Sequence, residues 1–400
     1  MKVNEVASQI RDRIPVSAIR AEDYVSTDNM RPNFGGIEKS LILPPSGTVM
    51  AFQTDDILLS NIRPYFRKTW LATHSGGCNA DVLCIRANPN KCIPKYLYYL
   101  FTTDNFVMDY LKSCKGAKMP RGDVQRLLDY EFDLPDLPTQ LRIAGILGSL
   151  DEKIELNRKK IAELEALAKI VYDYWFVQFD FPDKNGKPYK SSGGKMVWNE
   201  QLKREVPEGW EAGSVGNFVE IHRGASPRPI QDFLSNNGLR WLKISDATNS
   251  SSPFIMEIED HIRVEGLSKT VALNAGDLVL SNSASPGIPK FLGVNSCIHD
   301  GWLYFPQSKV SYEFLYLFLD KIKPSLIPQG NGSVFKNLKT DILKKFPMLK
   351  PSQTVLTVFD DIIKPIFTDI RTVVGATKEI LILRDTLLPL LMNGQIKVAG

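Results

Sequence analysis

The side chains with the clearest chemistry are Arg, Lys and Asn residues that follow short apolar runs. NIRPYFRK places them around an aromatic pair, and CKGAKMPRG places them in a Gly-containing loop. Arg and Lys pair with guanine edges or phosphates, and Asn pairs with adenine edges, so these groups suit the reading of DNA. The candidates in the first half of the chain are Arg31, Asn61, Arg63, Arg67, Lys68, Lys115, Lys118 and Arg121.

Comparable loops follow apolar runs in the second half, in RGASPRP, RWLK, SNSASPGIPK and QGNGSVFKN. Any one of these side chains could equally be a solvated surface residue or a turn former. The argument therefore depends on their recurrence at comparable places in both halves, in loops that can reach a groove. The candidates here are Arg228, Lys243, Asn282, Lys290, Asn331, Ser333 and Lys336.

Sequence motifs for catalysis, cofactor binding and metal binding are missing. KSSGGKM resembles a phosphate-binding loop, but Tyr189 stands where the first Gly of that loop is needed. An amino-methyltransferase needs an N-P-P-Y or D-P-P-Y motif to hold a flipped base, and neither motif occurs. The four His residues are dispersed, and no pair of the five Cys residues has CxxC spacing. We therefore predict no catalytic, cofactor-binding or metal-binding residues.

The composition is that of a folded protein from a reducing compartment. Of the 400 residues, 43% are apolar and 24% are charged, which excludes disorder throughout. A net charge of +4 excludes a histone-like binder but permits a folded DNA reader with basic residues concentrated on one face. The odd cysteine count, the lack of a secretory signal and the lack of a membrane-length apolar run favour the cytoplasm.

Short blocks of the first half recur in the same order about 215 to 220 residues later. DYVSTDNM parallels RWLKISDA, DDILLSNIRP parallels GDLVLSNSASP, KYLYYLF parallels YEFLYLFL, and DLPTQ parallels LKPSQ. The order predicts an internal duplication. The alternative is a pair of unrelated α+β domains whose blocks align by chance.

Each half ends in a long predicted helix with apolar residues at alternating steps of three and four, the pattern of a coiled-coil seam. The seam positions of the first helix include Leu150, Ile154, Asn157, Ile161, Leu164 and Trp175, and those of the second include Ile363, Phe367, Ile370, Leu381 and Leu388. We expect the two seams to pack as an antiparallel pair with Asn157 setting the register; alternatively, each seam is a docking site for another protein. Pro365 and Gly375 should kink or weaken the second helix.

These patterns predict an α+β fold made of two mixed α/β domains and two long antiparallel helices, related by a pseudo-twofold duplication. The predicted boundaries are 1–137 for the first mixed domain, 138–180 for the first long helix, 181–350 for a spacer with the second mixed domain, and 351–400 for the closing helix.

The chain resembles the specificity subunit of Type I restriction–modification systems over nearly its whole length. The most specific stretch runs from DLPTQLRIAGILGSLDEKIELNRKKI through the WF-x-x-FDFP step to the PEGW that opens the second domain. STDNMRPNFGG and DDILLSNIRPYFRK are similar to one common class of recognition domain, and LRDTLLPLLMNGQI is similar to the family's closing helix.

The resemblance implies two target-recognition domains held apart by the helices, each reading one half of a split DNA sequence. It implies double-stranded DNA and two methyltransferase subunits as partners, with S-adenosylmethionine bound on the methyltransferase. It allows for restriction or translocase subunits as additional partners, and it implies that the specificity subunit is itself non-catalytic.

The sequence departs from the family pattern at Thr139–Gln140 and Ser352–Gln353, where Glu–Gln is common, and Ile370 stands where a counterpart of Asn157 is expected. Two other functions remain as alternatives. One is a self-sufficient DNA methyltransferase or nuclease with an unrecognised catalytic site, and the other is a coiled-coil scaffold without a role on DNA.

Overall fold

A computed structural model describes residues 1–116, 118–326 and 337–396. Its contacts divide the chain into two compact units. The first unit comprises Met1–Ile154 and Ile380–Gly400, and the second comprises Glu155–Glu379. Each long helix crosses a boundary between these ranges, so that both units contain part of both helices.

The first unit is built on two four-stranded sheets, with strand orders β1-β8-β5-β6 and β2-β4-β7-β3. All neighbouring strands are antiparallel except β3 and β7. The strands are β1 (Ala7–Gln9), β2 (Arg13–Pro15), β3 (Tyr24–Val25), β4 (Thr48–Phe52), β5 (Ile57–Ser60), β6 (Thr69–Leu71), β7 (Gly76–Cys78) and β8 (Val82–Ala87), and the helices that follow are α1 (Pro94–Thr102), α2 (Asp104–Lys112), α3 (Val124–Leu128) and α4 (Leu137–Tyr172).

Strand β5 lies at the centre of the first unit because it is apolar on both faces. Ile57 and Leu59 pack with the helices, whereas Leu58 packs into a separate cluster on the other face of the sheet. A strand that is covered on both faces appears in the sequence as a continuous apolar run. The run ILLS thereby fixes the position of the loop that follows it.

The second unit contains two five-stranded sheets, with orders β12-β21-β18-β19-β15 and β13-β16-β14-β20-β17, and the strand pairs β9–β10 and β11–β22. Its strands are β9 (Met196–Asn199), β10 (Arg204–Pro207), β11 (Glu211–Ser214), β12 (His222–Arg223), β13 (Leu234–Ser235), β14 (Leu239–Leu242), β15 (Phe254–Ile255), β16 (His261–Ile262), β17 (Val271–Leu273), β18 (Leu278–Ser281), β19 (Pro289–Leu292), β20 (Ser296–Ile298), β21 (Trp302–Tyr304) and β22 (Pro347–Lys350), and its helices are α5 (Val215–Phe218), α6 (Ile244–Asn249), α7 (Tyr312–Leu326), α8 (Thr340–Lys345) and α9 (Gln353–Met392).

The two units share one topology, which confirms the predicted duplication. In the first, β5 lies between β8 and β6, and β7 pairs in parallel with β3 and antiparallel with β4. In the second, β18 lies between β21 and β19, and β20 pairs in parallel with β14 and antiparallel with β17. Even the turn before the central strand is repeated, because Asp55 and Gly276 both have positive φ.

Helices α4 and α9 run antiparallel to each other within each unit. In the second unit, the Trp175 ring lies 5.6 Å from that of Phe359, and Asn157 bonds to Thr377. In the first unit, Asp151 forms an ion pair with Arg384. Residues nearer the C-terminus of α4 therefore contact residues nearer the N-terminus of α9, so the two helices are antiparallel, as predicted.

Most of the predicted seam is buried. Ile154, Asn157, Trp175, Ile363, Phe367 and Ile370 are buried, while Leu150, Ile161, Leu164, Leu381 and Leu388 are half-buried. Two details differ from the expectation. Helix α9 runs through Pro365 and Gly375 without interruption, and α4 ends in a π-helical turn at Asp173–Val177 before residue 180.

The WF-x-x-FDFP step forms an aromatic cluster in the second unit. The Phe176 ring packs edge-on against Phe359 at 4.7 Å, and Phe181 is stacked between Tyr189 and Trp210 at 4.5 and 5.1 Å. Aromatic pairs in these geometries stabilise a core beyond the area that they bury. The stretch that resembles the family most closely is thus part of the core.

Candidate DNA-reading loops

Three loops of the first unit, far apart in sequence, are joined by backbone hydrogen bonds. In the loop after β5, the Phe66 carbonyl accepts from Asn33 N–H and the Arg67 carbonyl accepts from Phe34 N–H, both at 2.9 Å. It also donates from Arg63 N–H to Pro120 O at 2.8 Å. All first-half candidates lie in these three loops, which we call the first loop cluster (residues 29–38, 61–68, 115–116 and 118–123).

The centre of the first loop cluster is a single turn of 3-10 helix at Pro64–Phe66 with a left-handed residue at each end. Arg63 has φ 48° and Arg67 has φ 53°. Non-glycine residues are uncommon in this region, so the surrounding hydrogen bonds must hold them there. Pro64 is buried beneath the turn, while Tyr65 and Phe66 at its tip are 49% and 41% exposed.

Several cations of the first loop cluster pair with acidic side chains at the surface. Arg31 pairs with Glu38 at 3.0 Å, Arg67 with Asp104 at 2.6 Å, and Arg121 with Asp81 at 2.8 Å. Such exposed pairs contribute little to stability. They can therefore exchange for phosphates at small cost.

The remaining cations are held differently. Lys68 donates to the Thr27 carbonyl at 2.6 Å. Lys115 and Lys118 are exposed. Arg63 has a buried Nε that finds no hydrogen-bond partner within the described ranges. A buried unpaired donor is costly, so Arg63 is the cation of this cluster whose hydrogen bonds are least satisfied among the described residues.

Asn61 has a structural contact as well as a place in the loop. Its Oδ1 accepts from the Tyr110 hydroxyl at 2.7 Å, and burial raises the pKa of that hydroxyl. The amide group of Asn61 is thus oriented by the helix α2 behind it. This bond ties the candidate loop to the core.

The second unit repeats the loop after its central strand. Asn282 N–H donates to Gly301 O at 2.8 Å, as Asn61 N–H donates to Asp81 O at 2.8 Å. Unlike Asn61, Asn282 is nearly fully buried, at 2% exposure, so the interpretation of its side chain as a DNA contact is wrong. Among the residues described, none donates a hydrogen bond to its Oδ1.

Asp300 gathers the basic groups next to this loop. Its carboxylate accepts from the Ser226 hydroxyl at 2.7 Å and lies 3.3 Å from Arg228 and 3.9 Å from Arg223. The Ser226 bond is the main cause that lowers the pKa of Asp300. The Asn282 amide also reaches the Asp300 carbonyl, at 3.4 Å. Arg228 and Asn282 are therefore brought together by Asp300.

The other second-half candidates fall elsewhere. Lys243 pairs with Asp260 at 2.6 Å. Lys290 is buried in β19 with its ammonium on the carbonyls of Ser250 and Ser252, and burial lowers its pKa to about 8. An ammonium in that position cannot reach DNA, so the interpretation of Lys290 as a DNA contact is wrong. Asn331, Ser333 and Lys336 lie outside the described residues.

Sequence reasoning missed the acidic residues that organise these loops. Asp81 and Asp300 each hold an Arg from a distant segment, and no local motif marks either of them. Over residues 1–116, 118–326 and 337–396, no group of three or more His, Cys, Asp or Glu side chains is placed to hold a metal ion. No helix in those ranges is long and apolar enough to cross a membrane.

Comparison with known proteins gives one consistent family. The profile of the Type I restriction modification DNA specificity domain matches residues 50–166 and 207–363, more than half of the chain. The chain is 25% identical over 317 residues to the Type I restriction enzyme MjaIX specificity subunit of Methanocaldococcus jannaschii, covering 76% of this chain and 70% of that protein. It is 24% identical over 422 residues to the HindI specificity subunit of Haemophilus influenzae, covering 88% and 89%.

A solved structure supports the fold. The chain is similar to the crystal structure of a Type I restriction–modification S subunit from M. genitalium, with a TM-score of 0.61 and 14% identity over 98% of this chain and 95% of that one. The profile match, with the duplicated topology and the two long helices, shows that the chain belongs to the DNA specificity subunits of Type I restriction–modification systems.

Proposed function

We propose that each unit reads one half of a bipartite DNA target, through the loop that follows its central strand. The observation that carries this proposal is the repeated hydrogen bond of Asn61 and Asn282, which sets the same loop in both units. The side chains on the two loops differ, as two different half-sites require. Side chains of Arg, Asn and Ser at such positions can contact base edges, while exposed Lys residues contact phosphates.

The chain itself is proposed to be non-catalytic, and its partners supply the chemistry. The partners are two methyltransferase subunits that bind S-adenosylmethionine and flip an adenine beside each half-site. Restriction or translocase subunits are further partners of the same complex, which we place in the cytoplasm. Exposed apolar side chains on the long helices support a docking role for the helices. They include Leu141, Leu156, Leu167 and Ile170 on α4, and Val358, Ile362, Ile382 and Leu383 on α9.

The test is to co-express the chain with its methyltransferase and to map methylated adenines across a genome. We expect a bipartite motif with two fixed half-sites and an unspecific spacer. Arg63→Ala should relax or abolish one half-site and leave the other unchanged. Lys184→Ala, which removes an exposed Lys of the spacer segment, is the matched control.

An unsplit motif, or no motif, would contradict the proposal. Methylation or cleavage by the purified chain alone would favour the self-sufficient enzyme. An unchanged motif in every loop variant would favour the scaffold without a role on DNA.

A further inference from the structure

The loops after β5 and β18 begin with the same backbone structure and then differ at their tips. In each loop, the residue that follows the Asn of the repeated hydrogen bond forms an isolated β-bridge to a distant segment: Ile62 pairs with Arg121, and Ser283 pairs with Asn337. In each, the next residue is left-handed, with φ 48° at Arg63 and 55° at Ala284. The two loops therefore share their first three residues in conformation and differ in both the backbone and the side chains of their tips.

The tip of the first loop carries two exposed aromatic rings, while the second tip carries none. Tyr65 and Phe66 have their ring centroids 4.7 Å apart. The corresponding stretch of the second unit reads Ser285, Pro286 and Gly287. The first tip thus exposes an aromatic pair, and the second carries only small residues.

The aromatic pair is held rigidly before any ligand binds. Phe66 donates its N–H to Arg63 O at 3.0 Å and accepts at its own carbonyl from Asn33 at 2.9 Å. The Lys68 ammonium lies 5.8 Å from the centre of the Phe66 ring. Little conformational freedom is left to lose on binding, so the pair can insert at low entropic cost.

The charged residues around the two rings indicate which kind of partner they contact. Arg63, Arg67, Lys68 and Arg121 belong to the same loop cluster, and Lys115 and Lys118 are exposed on its third loop. The centres of protein–protein interfaces are depleted of Lys, which supplies three of these six cations. A cationic rim around an apolar tip fits nucleic acid, in which phosphates surround the faces of stacked bases.

We propose that Tyr65 and Phe66 form a wedge that unstacks one base step in the half-site read by the first unit. The inference rests on the proposed function of that unit. The second unit, with its small tip, leaves its own half-site stacked. The first half-site then carries a preference for an easily deformed pyrimidine–purine step, beyond any direct contact with base edges.

The experiment uses the complex of this chain with its methyltransferase on a duplex carrying the mapped motif. A 2-aminopurine is placed at each step of either half-site in turn, away from the methylated adenines, whose flipping would itself raise the emission. We expect emission to rise on binding at one step of the first half-site and at none of the second. The double variant Tyr65→Ala/Phe66→Ala should abolish that rise and weaken binding about tenfold, within the range for a base–aromatic stack.

Two further variants keep the test decisive if the double variant is unstable. Phe66→Leu retains an apolar wedge and should keep most of the emission. Trp198→Ala removes another exposed aromatic ring, 57% exposed on β9, and should change nothing.

Unchanged emission and affinity in the double variant would overturn the wedge. Loss of methyltransferase co-purification in place of a DNA effect would also overturn it, because the rings would then contact protein. A wild-type complex without a bipartite motif would instead contradict the proposed function, so the two failures are distinguishable.

Discussion

Asn157 donates from Nδ2 to the Thr377 hydroxyl oxygen across 3.0 Å, joining α4 to α9 inside the second unit. Both side chains are buried, and the Thr377 hydroxyl donates its own hydrogen bond to the Val373 carbonyl at 2.6 Å. A single satisfied polar pair in an apolar seam fixes the register, because any slip would leave the buried Asn157 amide without its acceptor.

Removing one partner of this pair should cost more than removing both. Thr377→Val should lower the free energy of unfolding by about 1–3 kcal/mol, since the Asn157 amide loses its acceptor. Asn157→Leu/Thr377→Val should recover most of that loss. Urea unfolding followed by Trp fluorescence suits the test, because every Trp except Trp70 lies in the second unit. Equal losses in the single and double variants would count against this role.

Asp56 and Arg86 form the most buried ion pair of the first unit among those described. The two contacts are 2.6 and 2.7 Å, and Asp56 is fully buried. Arg86→Met should cost about 3–5 kcal/mol, because the carboxylate is left without its cation. The exposed pair of Arg67 and Asp104 provides the control, and Asp104→Ala should cost less than about 1 kcal/mol. Calorimetry that gives similar losses for both variants would refute this assignment.

Gln140 and Gln353 occupy matching positions of the repeat but differ in burial. Gln140 is fully buried and accepts from Ile93 N–H at 2.8 Å while donating to the carbonyls of Lys91 and Pro135. Gln140→Leu should therefore lower stability by at least about 2 kcal/mol, through several unpaired buried groups. Gln353 is exposed, and Gln353→Leu should have little effect in thermal unfolding. A comparable fall in Tm for both variants would contradict the role given to Gln140.

Lys290 should give stability a pH dependence of defined sign. Burial lowers its pKa to about 8, from an ordinary value of 10.5. Between these values the unfolded chain binds a proton that the folded chain does not, so stability rises with pH across this window. Below about pH 8 both states are protonated and the full penalty of about 3 kcal/mol is present.

The measurement compares unfolding of the wild type with that of Lys290→Met from pH 7 to 11. The difference between the two cancels the titration of other groups. We expect the wild type to gain on the variant between about pH 8 and 10.5 and to change little relative to it below pH 8. A difference that stays constant over the whole range would show that Lys290 is not desolvated.

Lys115 and Lys118 should act on phosphates and not on bases. Lys115→Ala/Lys118→Ala should weaken DNA binding by the complex and reduce the slope of log Kd against log salt by about 1 per lost contact. The methylated motif should stay the same. Lys184→Ala/Lys190→Ala, in the spacer, is the control with an equal change of charge. An altered motif would show instead that these lysines read bases.

The sequence alone determined the duplication, the two long helices and most of their seam. Each depends on a signal that lies along the chain: a repeated order of blocks, or an apolar period of three and four residues. The predicted seam residues Ile363, Phe367 and Ile370 are buried, because the packing of two antiparallel helices preserves that period. The family resemblance rests on the same linear patterns.

Only the tertiary structure decided which polar side chains remain at the surface. Lys118 and Lys290 are both predicted DNA contacts, yet Lys118 is exposed in its loop and Lys290 is buried in a strand against backbone carbonyls. Asn157 likewise finds its partner at Thr377, 220 residues away in sequence. Whether a polar group is buried, and what it bonds to, depends on acceptors and charges from segments that are distant in sequence. No local pattern encodes which of these groups will meet.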